Sequence, residues 1–178
     1  MFQLVLVIIS IALTAAIVLA TVNYIPWWQK TAADTEQSVR SSLAELEQVY
    51  DVTVRAANGQ APVVVATADG GLMTQFVSTL KFRPAAPPGY TWVYGAYGAD
   101  GTRYSGLNYF CLKPNLPTAT ASEGVYKGID RARAIYSRDQ VILSNHCGDT
   151  ADAAKPASFP APAPYVTMFV QYVPGVNL

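Results

Sequence analysis

The sequence predicts an α+β fold. A long N-terminal helix, with a transmembrane first half, packs on an antiparallel β-sheet, and a disulfide loop lies towards the C-terminus. Three observations predict this fold: a charge-free apolar segment before Lys30, an amphipathic helical pattern after it, and strand patterns separated by glycine- and proline-rich turns. We therefore divide the 178 residues into an apolar helix over 1–29, its amphipathic continuation over 30–50 and a globular α+β domain over 51–178.

The composition excludes several classes of protein. The 12 Lys and Arg balance the 12 Asp and Glu, and only 13% of residues are charged, against about 25% in an average domain. A neutral chain lacks the positive face that nucleic-acid binding needs, so we expect no nucleic-acid partner. The 51% apolar content excludes a disordered chain, and 12 Pro with 12 Gly exclude a mostly helical bundle.

The first element is the apolar segment from Leu4 to Val22, in which only Ser10, Thr14 and Thr21 are polar. A transmembrane helix needs roughly 20 mostly apolar residues. Serine and threonine are tolerated there because they bond to carbonyls of their own helix. We therefore predict a retained membrane anchor. Its predicted packing positions are Leu4, Val7, Ile8, Ile11, Leu13, Ile17, Val18, Val22 and Pro26.

Two other interpretations of this segment compete with the anchor. A cleaved signal peptide would end at the small-residue pattern of residues 18–20, but no Lys or Arg precedes the apolar run. A buried core helix would not ordinarily be apolar on every face in a protein of this size. Tyr24, Trp27 and Trp28 stand where the interfacial aromatic residues of a membrane helix lie, which favours the anchor.

The second element is an amphipathic helix over residues 30–50. Val39, Leu43, Leu46 and Tyr50 recur at spacings of three and four, so we predict that they seat the helix on the domain. Pro26 precedes this pattern, and proline bends or interrupts a helix. The simplest prediction is one long helix kinked near Pro26. The alternative is a break followed by an ordinary first helix of the domain.

The remaining elements follow from local patterns and turn residues. Helices are predicted after Asp69 and over residues 124–137, and a proline-rich extended strap over 153–164. The predicted strands are 52–54 and 63–65 around Asn58-Gly59, then 90–94 and 104–112 around a turn at 99–101, then 141–143 and 165–173.

Cys111 and Cys147 are the only cysteines, and they indicate the compartment. Two cysteines in an exported domain most simply form one disulfide, which would stabilise it by roughly 3–4 kcal/mol. The alternative is two free thiols in a reducing compartment. The cysteines and His146 do not form a four-ligand metal set. Because we favour the disulfide, we place the residues after Tyr24 outside the cytoplasm.

Other groups of residues have a functional and a structural interpretation. The aromatic residues between Tyr90 and Phe110 would form a carbohydrate-binding platform or, as we favour, the core of the sheet. Arg131, Arg133 and Arg138 would form a docking patch or, as we favour, a solvated helix face.

We find no recognised nucleophile, metal or phosphate-loop motif. The sequence therefore predicts no enzymatic activity, no catalytic residue, no cofactor and no metal.

The layout resembles type IV pilins and pilin-like proteins. The resemblance lies in the apolar and then amphipathic segment from Phe2 to Tyr50, its helix-breaking Pro26, and the pair Cys111 and Cys147. It implies a subunit anchored in the inner membrane with its domain in the periplasm, then packed through its N-terminal helix against other pilin subunits in an extracellular pilus. It also implies that the disulfide loop borders an exposed surface, where a surface receptor or glycan would bind.

Two departures from the family pattern limit which kind of pilin we expect. Val5 stands where pilins usually carry a glutamate, and no acidic residue precedes Asp34. No charged leader precedes the apolar segment. Either Met1 is the mature first residue and the leader has been removed, as some type IVb pilins would allow, or the protein is not processed as a prepilin. We therefore expect a minor or type IVb pilin, or a pilin-like accessory protein of a conjugative thin pilus. The alternatives are a membrane-anchored periplasmic accessory or ligand-binding domain that does not polymerise, and a secreted domain.

Overall fold

The computed structural model describes residues 2–22, 26–61, 84–96 and 108–170. Helix α1 spans Phe2–Val22 and helix α2 spans Trp27–Ala56. Pro26, with φ −57° and ψ 127°, is not helical, although its carbonyl accepts a hydrogen bond from the Gln29 N–H at 2.8 Å. The prediction of one continuous, kinked helix is therefore wrong, and the alternative of a break is observed. Proline has no N–H to donate to a preceding turn, so it starts a helix more readily than it continues one.

Helix α2 is longer than its predicted 30–50 pattern and runs on to Ala56. The strand predicted over 52–54 is wrong, because Val54 extends the buried stripe of Tyr50 by one helical turn. The prediction of Asn58-Gly59 as a connection between strands is also wrong. Their φ angles of 53° and 87° end the helix, and the Gly59 N–H donates to the Val54 carbonyl at 2.8 Å. Left-handed residues end helices as readily as they turn hairpins.

The rest of the described chain contains six strands and one more helix. In chain order they are β1 (Tyr90–Ala96), β2 (Asn108–Pro114), β3 (Thr120–Ala121), α3 (Glu123–Arg133), β4 (Val141–Ser144), β5 (Ala161–Pro162) and β6 (Tyr165–Val170). Four of the strands form an antiparallel sheet in the order β1-β2-β6-β4, while β3 and β5 pair separately. The predicted α+β fold with a helix on an antiparallel sheet is confirmed at this level.

Several sequence predictions fall outside the described residues. They are the strand over 63–65, the helix after Asp69, the turn at 99–101, and the ends of two strands at 104–107 and 171–173. The helix predicted over 124–137 is observed as α3 and ends earlier, at Arg133.

The core lies between α2 and one face of the sheet. Val39, Leu43 and Leu46 are completely buried, and Tyr50 packs edge-on against the Phe110 ring at 6.2 Å between centroids. Trp92 is also buried there and donates its indole N–H to the Ala85 carbonyl at 2.8 Å.

The aromatic residues of β1 belong to this core. Tyr90, Trp92 and Tyr94 are buried, as is Phe110 on β2. Alternate residues of a strand point to one face, so these rings line the side of the sheet that α2 covers. The prediction that the aromatic residues form the core of the sheet is therefore confirmed for these four rings. Tyr109 is partly buried in a second cluster with Ile142 and Phe169, and Tyr97 and Tyr104 lie outside the described residues.

Candidate functional site

Helix α1 carries large apolar side chains that are mostly exposed in the described structure. Seven of its large apolar residues are between 54% and 64% exposed. At 3.6 residues per turn, they fall on every side of the helix. They are Val7, Ile8, Ile9, Ile11, Leu13, Ile17 and Val18. A helix that is apolar all round needs lipid or other helices around it.

The Thr14 hydroxyl has hydrogen-bond partners within α1 itself. The Thr14 hydroxyl donates to the Ser10 carbonyl and also approaches the Ile11 carbonyl at 3.3 Å. Such back-bonding hides a hydroxyl from an apolar environment.

Leu4 and Val22 belong to the same helix, and Pro26 is half-buried just before α2. Among the described residues, none of the helices combines the length and the hydropathy needed to cross a membrane.

Helix α3 approaches α2 so closely that only glycine fits at two of its positions. A Cβ added at Gly124 would lie 2.7 Å from the Trp28 carbonyl oxygen, and one at Gly128 would lie 2.5 Å from that of Ala32. Ala132, one turn further along α3, is fully buried. Our sequence reasoning missed this contact. The repeat of a small residue at every fourth position of α3 was the pattern that could have revealed it.

The Cys111–Cys147 disulfide joins β2 to the loop after β4, with 5.7 Å between the two Cα atoms. The predicted disulfide is confirmed, and no free cysteine is found in the described chain. The Gly148 N–H donates to the buried Thr167 hydroxyl at 3.0 Å, which attaches the loop to β6 as well. The adjacent His146 is exposed, 3.7 Å from Asp149.

Arg133 belongs neither to a docking patch nor to the solvated helix face that we favoured, so both interpretations of the three arginines are wrong at this residue. Its side chain is 10% exposed and forms an ion pair with Asp152. Asp152 also accepts the Leu143 N–H at 3.1 Å. The pair therefore fastens α3 to β4, while Arg131 and Arg138 remain exposed.

The same contacts determine the pKa of Asp152. Burial by itself would raise this pKa, but the hydrogen bonds from Arg133 and from the Leu143 N–H, together with the Arg133 charge, hold it below its ordinary value. The ionised carboxylate is therefore stabilised by folding.

We expect this contribution to stability to be complete above about pH 4 and to be lost as the pH falls through the lowered pKa of Asp152. In that range the unfolded chain binds a proton that the folded chain does not, so acid favours unfolding. Urea unfolding of the wild type and Asp152→Asn between neutral and acid pH measures the effect. The stability gap between them should narrow as the pH falls.

Asp51→Asn is the matched control, because Asp51 pairs with Arg55 on an exposed helix surface. Such a pair contributes little, so this variant should follow the wild type at every pH. A gap between wild type and Asp152→Asn that stays constant down to pH 2 would contradict the prediction.

An open groove of about 690 Å³ lies between α2 and β6, with Glu47, Asp51 and Asp139 among its lining residues. Glu47 accepts a hydrogen bond from the Gln140 amide at 3.3 Å, and Asp51 is paired with Arg55. No group of three His, Cys, Asp or Glu side chains in the described structure could hold a metal ion.

The geometry thus defines a class of protein: an α+β domain with one disulfide, preceded by a helix whose apolar side chains are exposed all round. No protein-family model, curated protein or solved structure matches the chain.

Proposed function

We propose that this chain is a structural subunit of a type IV-like pilus. It is anchored in the inner membrane by its N-terminal helix before assembly, with its domain in the periplasm, and packs through that helix in the extracellular filament. The observation that carries the proposal is the exposure of apolar side chains on every side of α1. Such a surface is unfavourable in water, whereas lipid and neighbouring helices both cover it.

Two features of the domain support the proposal. The disulfide is typical of an exported protein, because thiols stay reduced in the cytoplasm. Helix α2 packs its buried stripe on the sheet and so carries the domain directly after the helix that would enter the filament. In this proposal the other pilin subunits and the inner membrane are the partners of α1.

A non-polymerising, membrane-anchored accessory domain is the second candidate. The absence of any acidic residue before Asp34 favours it, because such a helix has no charge with which to pair a neighbouring subunit. Both candidates require the anchor, and only the pilus subunit enters filaments.

The experiment that separates them is Ile11→Asp, with Ile11→Leu as the matched control. Among the side chains of α1 that the structure describes, Ile11 is the most exposed large apolar one, at 64%. A carboxylate in the middle of an apolar helix costs about 3 kcal/mol in lipid, and more where it would be buried unpaired between helices. We expect Ile11→Asp to abolish incorporation into sheared surface filaments and Ile11→Leu to retain it.

The readout is the amount of the chain in sheared filaments and in the membrane fraction. Incorporation of Ile11→Asp at the wild-type level would contradict the filament role of α1. Recovery of the wild type in membranes, with no filament that contains it, would favour the accessory domain.

A further inference from the structure

Helices α2 and α3 place their N-terminal ends at the same end of the domain. Gly124, in the first turn of α3, packs against Trp28 and Thr31 in the first turns of α2, and Gly128 packs one turn further along both helices. The two helices are therefore parallel neighbours over this length. Strand β2 runs towards the start of α2, because Asn108 bonds Tyr50, whereas Trp92, the partner of Leu112, shares the Ala85 carbonyl with Ser42. The turn around Leu116 follows the end of β2 and therefore lies towards the same end as Trp27, Trp28 and Lys127, which we call the proximal end.

The side chains of the proximal end suit the headgroup region of a bilayer. Trp27 is 72% exposed, and Leu116 is 65% exposed in the turn that leads from β2 towards the Ser122 cap of α3. The Lys127 ammonium lies 4.5 Å from the centre of the Trp28 ring and 2.6 Å from the Glu123 carboxylate. Tryptophan and lysine side chains are both common at a membrane interface, and this end carries the exposed Trp27 and the pair of Lys127 with the half-buried Trp28.

The chain also limits how far the proximal end can lie from α1. Five residue steps separate Val22, the last residue of α1, from Trp27. An extended chain of that length spans at most about 18 Å. If α1 lies in the bilayer, Trp27 is held near its surface, and the close glycine contacts hold the start of α3 beside it.

We infer that the proximal end docks on the phospholipid surface while the subunit is anchored, with Trp27 and Leu116 among the headgroups and Lys127 beside the lipid phosphates. This inference rests on the membrane anchor of the proposed function. It adds a second contact with lipid, made by the folded domain itself, which fixes the orientation of the domain on the membrane before assembly.

The test uses the full chain in phospholipid vesicles whose acyl chains are brominated close to the headgroups. Leu116→Trp and Ile135→Trp each add one fluorophore. Both positions carry an exposed aliphatic side chain, one before the start of α3 and one after its end. We expect roughly a twofold loss of the added emission for Leu116→Trp, because its indole would lie at the interface, and little loss for Ile135→Trp.

The outcomes separate this inference from the proposed function. Retention of the chain on vesicles with no quenching at either added tryptophan, or with equal quenching at both, overturns the docking and leaves the anchor intact. Failure of the chain to sediment with vesicles overturns the anchor and the docking together. Circular dichroism and non-reducing peptide mapping of the disulfide verify that both variants are folded.

Discussion

Replacement of both Cys111 and Cys147 by alanine is expected to lower the free energy of unfolding by about 4 kcal/mol. The disulfide closes a loop with a sequence separation of 36, and the chain-entropy model gives about this value for such a loop. For a chain of 178 residues, the loss corresponds to a melting temperature lower by roughly 10 °C.

The structure explains why we expect few other contacts to make up for the stability lost with the disulfide. Cys111 is fully buried in β2, between neighbours on β1 and β6, so the alanine variant also leaves unfilled volume at the centre of the sheet. The loop retains the hydrogen bond from the Gly148 N–H to Thr167 and, further along, the contacts of Asp152 with Leu143 and Arg133. We therefore expect a weakened domain with a native-like sheet.

Urea unfolding of the double variant, compared with oxidised and reduced wild type, measures this effect. Reduced wild type keeps the cysteine side chains, so it isolates the cross-link from the lost volume. The double variant should be at least as destabilised as the reduced protein. A difference of less than about 1 kcal/mol between oxidised and reduced wild type would contradict a stabilising role for the cross-link.

Gly128→Ala is expected to destabilise the domain by about 2–3 kcal/mol, near the upper end of the usual cost of overpacking. The added Cβ would lie 2.5 Å from the Ala32 carbonyl oxygen and 2.6 Å from the Thr35 Cβ. The first of these atoms belongs to the main chain, so α2 and α3 must move apart.

Whether Gly128→Ala lowers or raises the stability of the domain shows whether α3 has room for a methyl group beside α2. In a helix that has room for the methyl group, glycine to alanine stabilises by about 1 kcal/mol, because alanine is the better helix former. A loss of stability therefore measures the close approach of the two helices. Arg131→Ala, at an exposed position of the same helix, is the matched control and should change stability by less than about 0.5 kcal/mol.

Thermal unfolding of the two variants compares them directly. Stabilisation by Gly128→Ala would contradict the close contact between α2 and α3. Thr35→Ala should not rescue Gly128→Ala, because alanine keeps the Cβ and the nearer obstacle is the Ala32 carbonyl.

The sequence alone determined the elements whose patterns are local. The spacing of Val39, Leu43, Leu46 and Tyr50 identified the face of α2 that the structure places in the core, because a helix repeats every 3.6 residues whatever it packs on. The strands at 90–94 and 141–143 were likewise predicted from their own residues and are observed as β1 and β4. The two cysteines sufficed to predict one disulfide.

Residue types that serve two purposes misled the prediction. Val52, Thr53 and Val54 are β-branched and favour strands, yet they continue α2, because the burial of Val54 outweighs a propensity difference of well under 1 kcal/mol per residue. Asn58-Gly59 offers the left-handed conformation that either a hairpin or a helix end requires, and only the neighbouring helix decides between them.

Only the tertiary structure decided the features that join distant parts of the chain. The strand order β1-β2-β6-β4, the burial of Arg133 against Asp152, and the glycine contacts of α3 with α2 are of this kind. Each depends on main-chain or side-chain atoms that meet across many residues of sequence, as Asn108 meets Tyr50 across 58. Local periodicity predicts a helix or strand and the face that it buries. It does not predict which element packs against that face, because that depends on contacts between residues far apart in the sequence.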